Sequence, residues 1–168
     1  MITSRDIHLL MRAFMVFVRS IVEYNSIIWS PSTARDIDAV ESVQRRFTKR
    51  LPTLKNLSYR ERLKCLNIFS LELRRLHTDL FWCYKIVFGF VYVNLDDLFV
   101  FSPYQYIRGH KFKLYKRQTN SCVGLRANFF SERVINCWNS LPHTVDFSSF
   151  SKFTCSVKRV DFTDFLRF

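Results

Sequence analysis

Asp96 and Asp97 are the residues whose type and adjacency best suit catalysis. Two carboxylates at one point can bridge two divalent metal ions and support phosphoryl transfer. Where such a pair serves nucleotidyl transfer, it follows an aromatic and one further residue in a hairpin. Here Asn94-Leu95 precedes it and the aromatic is missing. The pair therefore reads as a solvated loop or the start of a short helix, and no catalytic residue is assigned. Five Cys stand at 65, 83, 122, 137 and 155. Structural zinc sites bring ligands in pairs about two to four residues apart. Cys137 and His143 are six apart and no CxxC pair exists, so reduced thiols are expected, with no metal and no cofactor. No Gly-rich phosphate loop and no Ser-centred nucleophile elbow is present.

The cations carry the stronger signal. The chain has 26 basic and 14 acidic residues, a net charge of +12, which attracts polyanions. Residues 31–66 hold nine basic and four acidic groups, and residues 111–168 hold ten and four. Arg45, Arg46, Lys49 and Arg50 fall within two helical turns. Arg46 with Lys49, and Arg46 with Arg50, share a face by the i,i+3 and i,i+4 rule. Lys55, Arg60, Arg62 and Lys64 extend that patch along the chain. Lys111, Lys113, Lys116 and Arg117 form a second patch, interleaved with Phe112, Leu114 and Tyr115. A basic strand laced with aromatics can track a nucleic-acid backbone and stack bases. The competing readings are a helix end satisfied by its own dipole and an edge strand guarded by lysines. RNA or DNA is the expected partner. The apolar run Ala13–Val18 is too short to span a membrane, so an intracellular protein of the nucleus or cytoplasm is expected.

These groups need long elements to position them. With 168 residues, 48% apolar composition and only three Gly, the chain reads as globular and mainly α. We expect a bundle of four to six helices with a short β element near 111–116. Leu10, Phe14, Phe17, Ile21 and Ile28 predict a helix over 7–29, stopped by Pro31. Thr33 to Asp36 can start a helix reaching Arg50 that buries Ile37, Val40, Val43 and Phe47. The two should pair as an antiparallel hairpin. Ser58 with Glu61 opens a short helix to Leu66, and Ser70 caps a long one to about Val91. Residues 128–140 predict another helix, and 148–165 a last one. Trp29, Trp82 and Trp138 are expected in the core. Residues 1–91 and 92–168 are the expected regions, or else one continuous domain.

Several short motifs recur in order. Glu23-Tyr24-Asn25-Ser26-Ile27-Ile28-Trp29-Ser30-Pro31 is followed by Asp36-Ile37-Asp38 and Val43-Gln44-Arg45-Arg46. Leu57-Ser58-Tyr59-Arg60-Glu61-Arg62-Leu63 and Ser70-Leu71-Glu72-Leu73-Arg74-Arg75 come next. Phe129-Phe130-Ser131-Glu132-Arg133-Val134 and Trp138-Asn139-Ser140-Leu141-Pro142 stand far downstream. The ordered set resembles the region after the palm in non-LTR (LINE-type, jockey- and CR1-like) retrotransposon reverse transcriptases, over roughly residues 8 to 160. That resemblance implies a helical thumb that grips a template–primer duplex, followed by a C-terminal extension. It implies that the catalytic palm is absent, and that the missing fingers and palm are a partner. The family's terminal cysteine–histidine knuckle has no counterpart here. An inert remnant of a truncated element is the alternative.

Overall fold

The computed structural model describes residues 6–103, 109–116 and 128–167. Those residues are mainly helical and contain no strand. The helices are α1 (Ile7–Ala13), α2 (Ser20–Glu23), α3 (Ala34–Arg50), α4 (Tyr59–Leu66), α5 (Leu71–Val87), α6 (Leu95–Leu98), α7 (Phe130–Ser140) and α8 (Phe150–Val157). The chain divides into two compact units. The division falls inside α5, between Arg75 and Leu76, upstream of the boundary expected after Val91.

In the first unit, α1 passes into a π-helical segment, Phe14–Arg19, and then into α2. The helix expected to reach Trp29 thus ends at Glu23, and Asn25 turns the chain at a φ of 57°. Upstream the apolar stripe packs. Met11 joins Leu51 and Leu54 in a buried cluster, and Phe14 stacks on Phe47 at 4.2 Å. Residue 11 meets 51 and 14 meets 47, so this segment and α3 run antiparallel. Downstream the stripe leaves the core, with Phe17, Ile21 and Ile28 exposed by 70%, 74% and 76%. A π-helix takes more residues per turn than an α-helix. Positions spaced for α geometry therefore rotate away from the buried face. Trp29, expected in the core, is exposed, and its indole N–H donates to the Tyr24 carbonyl at 2.6 Å.

Helix α3 begins as expected, with the Thr33 hydroxyl accepting from the Asp36 N–H at 3.1 Å. The face it buries is different. Ile37 is buried, but Val40, Val43 and Phe47 are only half-buried. The stripe excluded from water is Glu41, Gln44 and Thr48, each at 0% exposure. Buried polar groups persist only when hydrogen-bonded, and here the partners are at hand. The Glu41 carboxylate accepts from the backbone N–H groups of Leu71 and Glu72, both at 3.1 Å, and from the Tyr59 hydroxyl. Gln44 Nε2 donates to the Phe69 carbonyl at 3.0 Å, and the Thr48 hydroxyl accepts from Arg62 Nε at 3.2 Å. Helix α4 opens on the expected capping box. The Ser58 N–H donates to Glu61 at 2.8 Å and the Glu61 N–H donates back to the Ser58 hydroxyl at 3.3 Å.

Helix α5 starts on Glu41 and on Ser70, whose hydroxyl accepts from the Leu73 N–H at 3.2 Å. It stops at Val87 rather than Val91. Gly89, at a φ of 70°, takes the left-handed cap position, and the Phe90 N–H reaches back to the Lys85 carbonyl at 2.7 Å. The second unit packs aromatic rings. Tyr84 lies 4.5 Å from Phe153, and Trp138 lies 5.5 Å from Phe147, with Trp138 and Phe153 wholly buried. Arg133 on α7 holds Asp79 of α5 through two bonds of 2.7 and 2.8 Å. The last helix is shorter than expected: α8 covers Phe150–Val157, and a single 3-10 turn, Thr163–Phe165, follows.

Glu41→Ala leaves two helix N-terminal N–H groups and a phenol without their acceptor. Urea unfolding should show a loss of about 3 kcal/mol or more, with a smaller loss for Glu41→Gln.

Candidate nucleic-acid interface

The C-terminal turns of α3 place Arg46, Lys49 and Arg50 on the surface. None of the three is held in an ion pair or hydrogen bond among the described residues. Arg45 is different. Its guanidinium pairs with Asp38 at 2.9 Å and lies 5.4 Å from the centre of the Tyr59 ring. Arg62 leaves the patch as well. It is buried, and its guanidinium donates to Thr48 and to the Leu57 carbonyl at 2.5 Å. Lys55, Arg60 and Lys64 are exposed. The expected four-cation cluster is thus three open cations and one engaged one.

Tyr59 sits beneath this surface. Burial, helped by the adjacent Glu41 carboxylate, pushes its phenol well above the usual range. The hydroxyl therefore stays protonated and keeps donating to Glu41. The cations are carried on a helix whose opposite side is locked by the polar stripe, so the open charges stand on a fixed backbone.

The second patch does not form as expected. Residues 111–116 make no strand, only an antiparallel bridge between Phe101 and Leu114. Strict alternation fails at Lys113, which is 8% exposed and turns inward to donate to the Asn139 carbonyl. Burial lowers its pKa. Lys116 is exposed and donates to the Asn136 side chain at 3.1 Å, and Lys111 lies 5.2 Å from the centre of the Phe112 ring. Arg117 lies outside the described residues.

What holds this segment is the end of α7. The Asn139 side chain accepts from the Leu114 N–H at 2.9 Å and donates to its carbonyl at 2.7 Å. The Trp138 indole donates to the Phe112 carbonyl at 2.6 Å. His110 Nε2 lies 2.8 Å from the Trp138 carbonyl, while its Nδ1 accepts from the Phe112 N–H at 3.2 Å. Since Nδ1 accepts, Nε2 carries the proton and the ring is neutral. Lys113 and His110 together satisfy carbonyls that the last turn of a helix leaves open. A peptide strand would have used the same groups for ladder bonds, which is why α7 displaces the expected β element.

Asp96 and Asp97 are exposed in α6. Among the described residues no three His, Cys, Asp or Glu side chains converge as a metal site. Cys83 and Cys137 are buried, and burial raises both thiols, Cys137 to about 12. Such thiols are poor nucleophiles at neutral pH. The motifs quoted above resolve into structural ties: Glu23 to Arg74, Glu41 and Gln44 to Tyr59, Asp79 to Arg133, and Trp138-Asn139 to residues 112–114.

No family model, curated protein or solved structure matches the chain.

The His110 geometry has a pH signature. Burial, against a raising contribution from Trp138 and with Lys113 adding to the fall, lowers its pKa from 6.5 to about 4. Between those values the unfolded chain binds a proton that the folded chain excludes. Stability from this residue is complete above pH 6.5 and is lost as pH falls toward 4, on the order of 3 kcal/mol in all. Denaturation measured across that window should show the fall. His110→Gln should lower stability at neutral pH and flatten the slope between the two values.

Proposed function

We propose that this chain is the post-palm, C-terminal portion of a non-LTR retrotransposon reverse transcriptase and contributes sequence-independent contact with RNA or DNA. The observation that supports this most directly is the set of open cations, Arg46, Lys49 and Arg50, on the end of α3. Contacts from such groups go to phosphates, which fix position without reading sequence. The net charge of +12 adds long-range attraction. Arg45 contributes by aligning this end of the helix through Asp38 and Tyr59. Lys111 and Lys116 form a lesser surface in the second unit. On this reading the protein works inside the cell, in nucleus or cytoplasm, together with fingers and palm. No helix among the described residues is long and apolar enough to cross a membrane. By itself the chain is not an enzyme: the purified protein should give no primer extension with Mg²⁺ or Mn²⁺, and extension abolished by Asp96→Ala with Asp97→Ala would overturn this.

Duplex DNA binding measured against salt tests the interface. Three phosphate contacts give a log–log slope of about −3, at roughly −0.9 each. Replacing Arg46, Lys49 and Arg50 by Gln should flatten the slope to near zero and weaken binding alike on unrelated sequences. Replacing Lys111 and Lys116 should change it much less. If the triple variant keeps its helicity, its affinity and its slope, the cations are a solvated helix end and the inert-remnant reading takes over.

A further inference from the structure

The face of the N-terminal helical segment that points away from α3 has a composition unlike a solvent surface. Leu9, Ala13, Val16, Phe17, Ser20, Ile21 and Tyr24 are all exposed and follow one another at helical spacing. No residue of that stripe is charged, in a chain with a net charge of +12. Ile28 and Trp29, also exposed, continue it, with Trp29 tied to Tyr24 by its indole N–H. The opposite face, Ile7, Leu10, Met11, Phe14 and Met15, is already occupied by the packing against α3 and the loop after it. The outer stripe is therefore not the helix's own core contact.

We infer that this stripe is a self-association surface, through which two copies of the chain pair into a dimer. Area favours a second copy. The exposed fractions leave open an apolar face on the order of 900 Å², above the roughly 300–600 Å² of the largest patch on a typical monomer. A standard interface takes about 800 Å² from each partner, so one stripe against its own image suffices. Charge placement agrees. Residue 11 lies beside 51, so the open cations of α3 stand at the Leu9 end of the hairpin. The other end, from Phe17 to Trp29, lies beside the start of α3, where Asp36 and Asp38 are found. Pairing centred on Phe17 and Ile21 buries apolar side chains without setting the two cation clusters against each other. A two-fold contact of this kind is closed, so it stops at two copies. The aromatic pair Phe17 and Tyr24 supplies the anchors that such interfaces favour.

Sedimentation velocity and light scattering of the full chain, after nuclease treatment and in high salt, test this apart from nucleic-acid binding. The expected particle has twice the 20.2 kDa of one chain. Phe17→Glu with Ile21→Glu, at positions the fold does not bury, should raise the dimer dissociation constant at least about 100-fold while helical content and melting are kept. Phe69→Glu, at an exposed apolar residue outside the stripe, should leave the dimer intact. A wild-type chain that stays monomeric to its solubility limit overturns the inference, as does a dimer that survives the double substitution. So does a monomer that instead sediments with anionic vesicles through Phe17 and Ile21, which would make the stripe a lipid contact.

Discussion

A single buried carboxylate organises the first unit. Glu41 has no water and takes its hydrogen bonds from elements 18 to 31 residues away in sequence: the Tyr59 hydroxyl and the first N–H groups of α5. The positive end of a helix dipole and the carboxylate stabilise each other, and the low-dielectric surroundings strengthen the attraction. Once Glu41 is in place, α3 has one rotation, because Gln44 and Thr48 must follow it inward at helical spacing. Tyr59 is then fixed between Glu41 and Gln44, and Arg62 between Thr48 and Leu57. The open cations inherit their direction from this arrangement.

The same habit recurs in the second unit with different chemistry. There an Arg–carboxylate pair, Asp79 with Arg133, and an Asn–backbone clamp at Leu114 hold parts that apolar packing alone would leave free to slide. Bidentate geometry gives these ties direction as well as strength. Aromatic rings fill the space around them, with Tyr84 also anchored through its hydroxyl to the Phe147 carbonyl at 3.0 Å.

Local signals in the sequence carried much of this. The Thr33 and Ser58 caps, the Ser70 cap, the start and stop of α3, and the Phe14-to-α3 contact all follow from residue type and short spacing. What was not legible was long-range and polar. Glu41, Gln44 and Thr48 look like solvent-facing residues because hydropathy assigns polar side chains outward. Only partners distant in sequence reverse that. Lys113 misleads in the same way: its place in an alternating run says strand, while the open carbonyls of α7 draw it inward. Gly89 was a readable stop for α5, since a left-handed cap is the usual use of a glycine there, but the apolar spacing through Val91 masked it. At the site, exposure separated Arg46, Lys49 and Arg50 from Arg45, and no spacing rule could have done so.

The π-helical segment has an evolutionary reading. A wider turn is what a helix adopts when it absorbs one extra residue without breaking its hydrogen-bonded course. Everything before the insertion keeps its bearing, and everything after it is turned to a new one. Ile7 to Phe14 could thus stay married to α3 while Phe17 to Tyr24 was offered to the outside in a single genetic step. A protein can acquire a surface in this way without redesigning the interior that supports it.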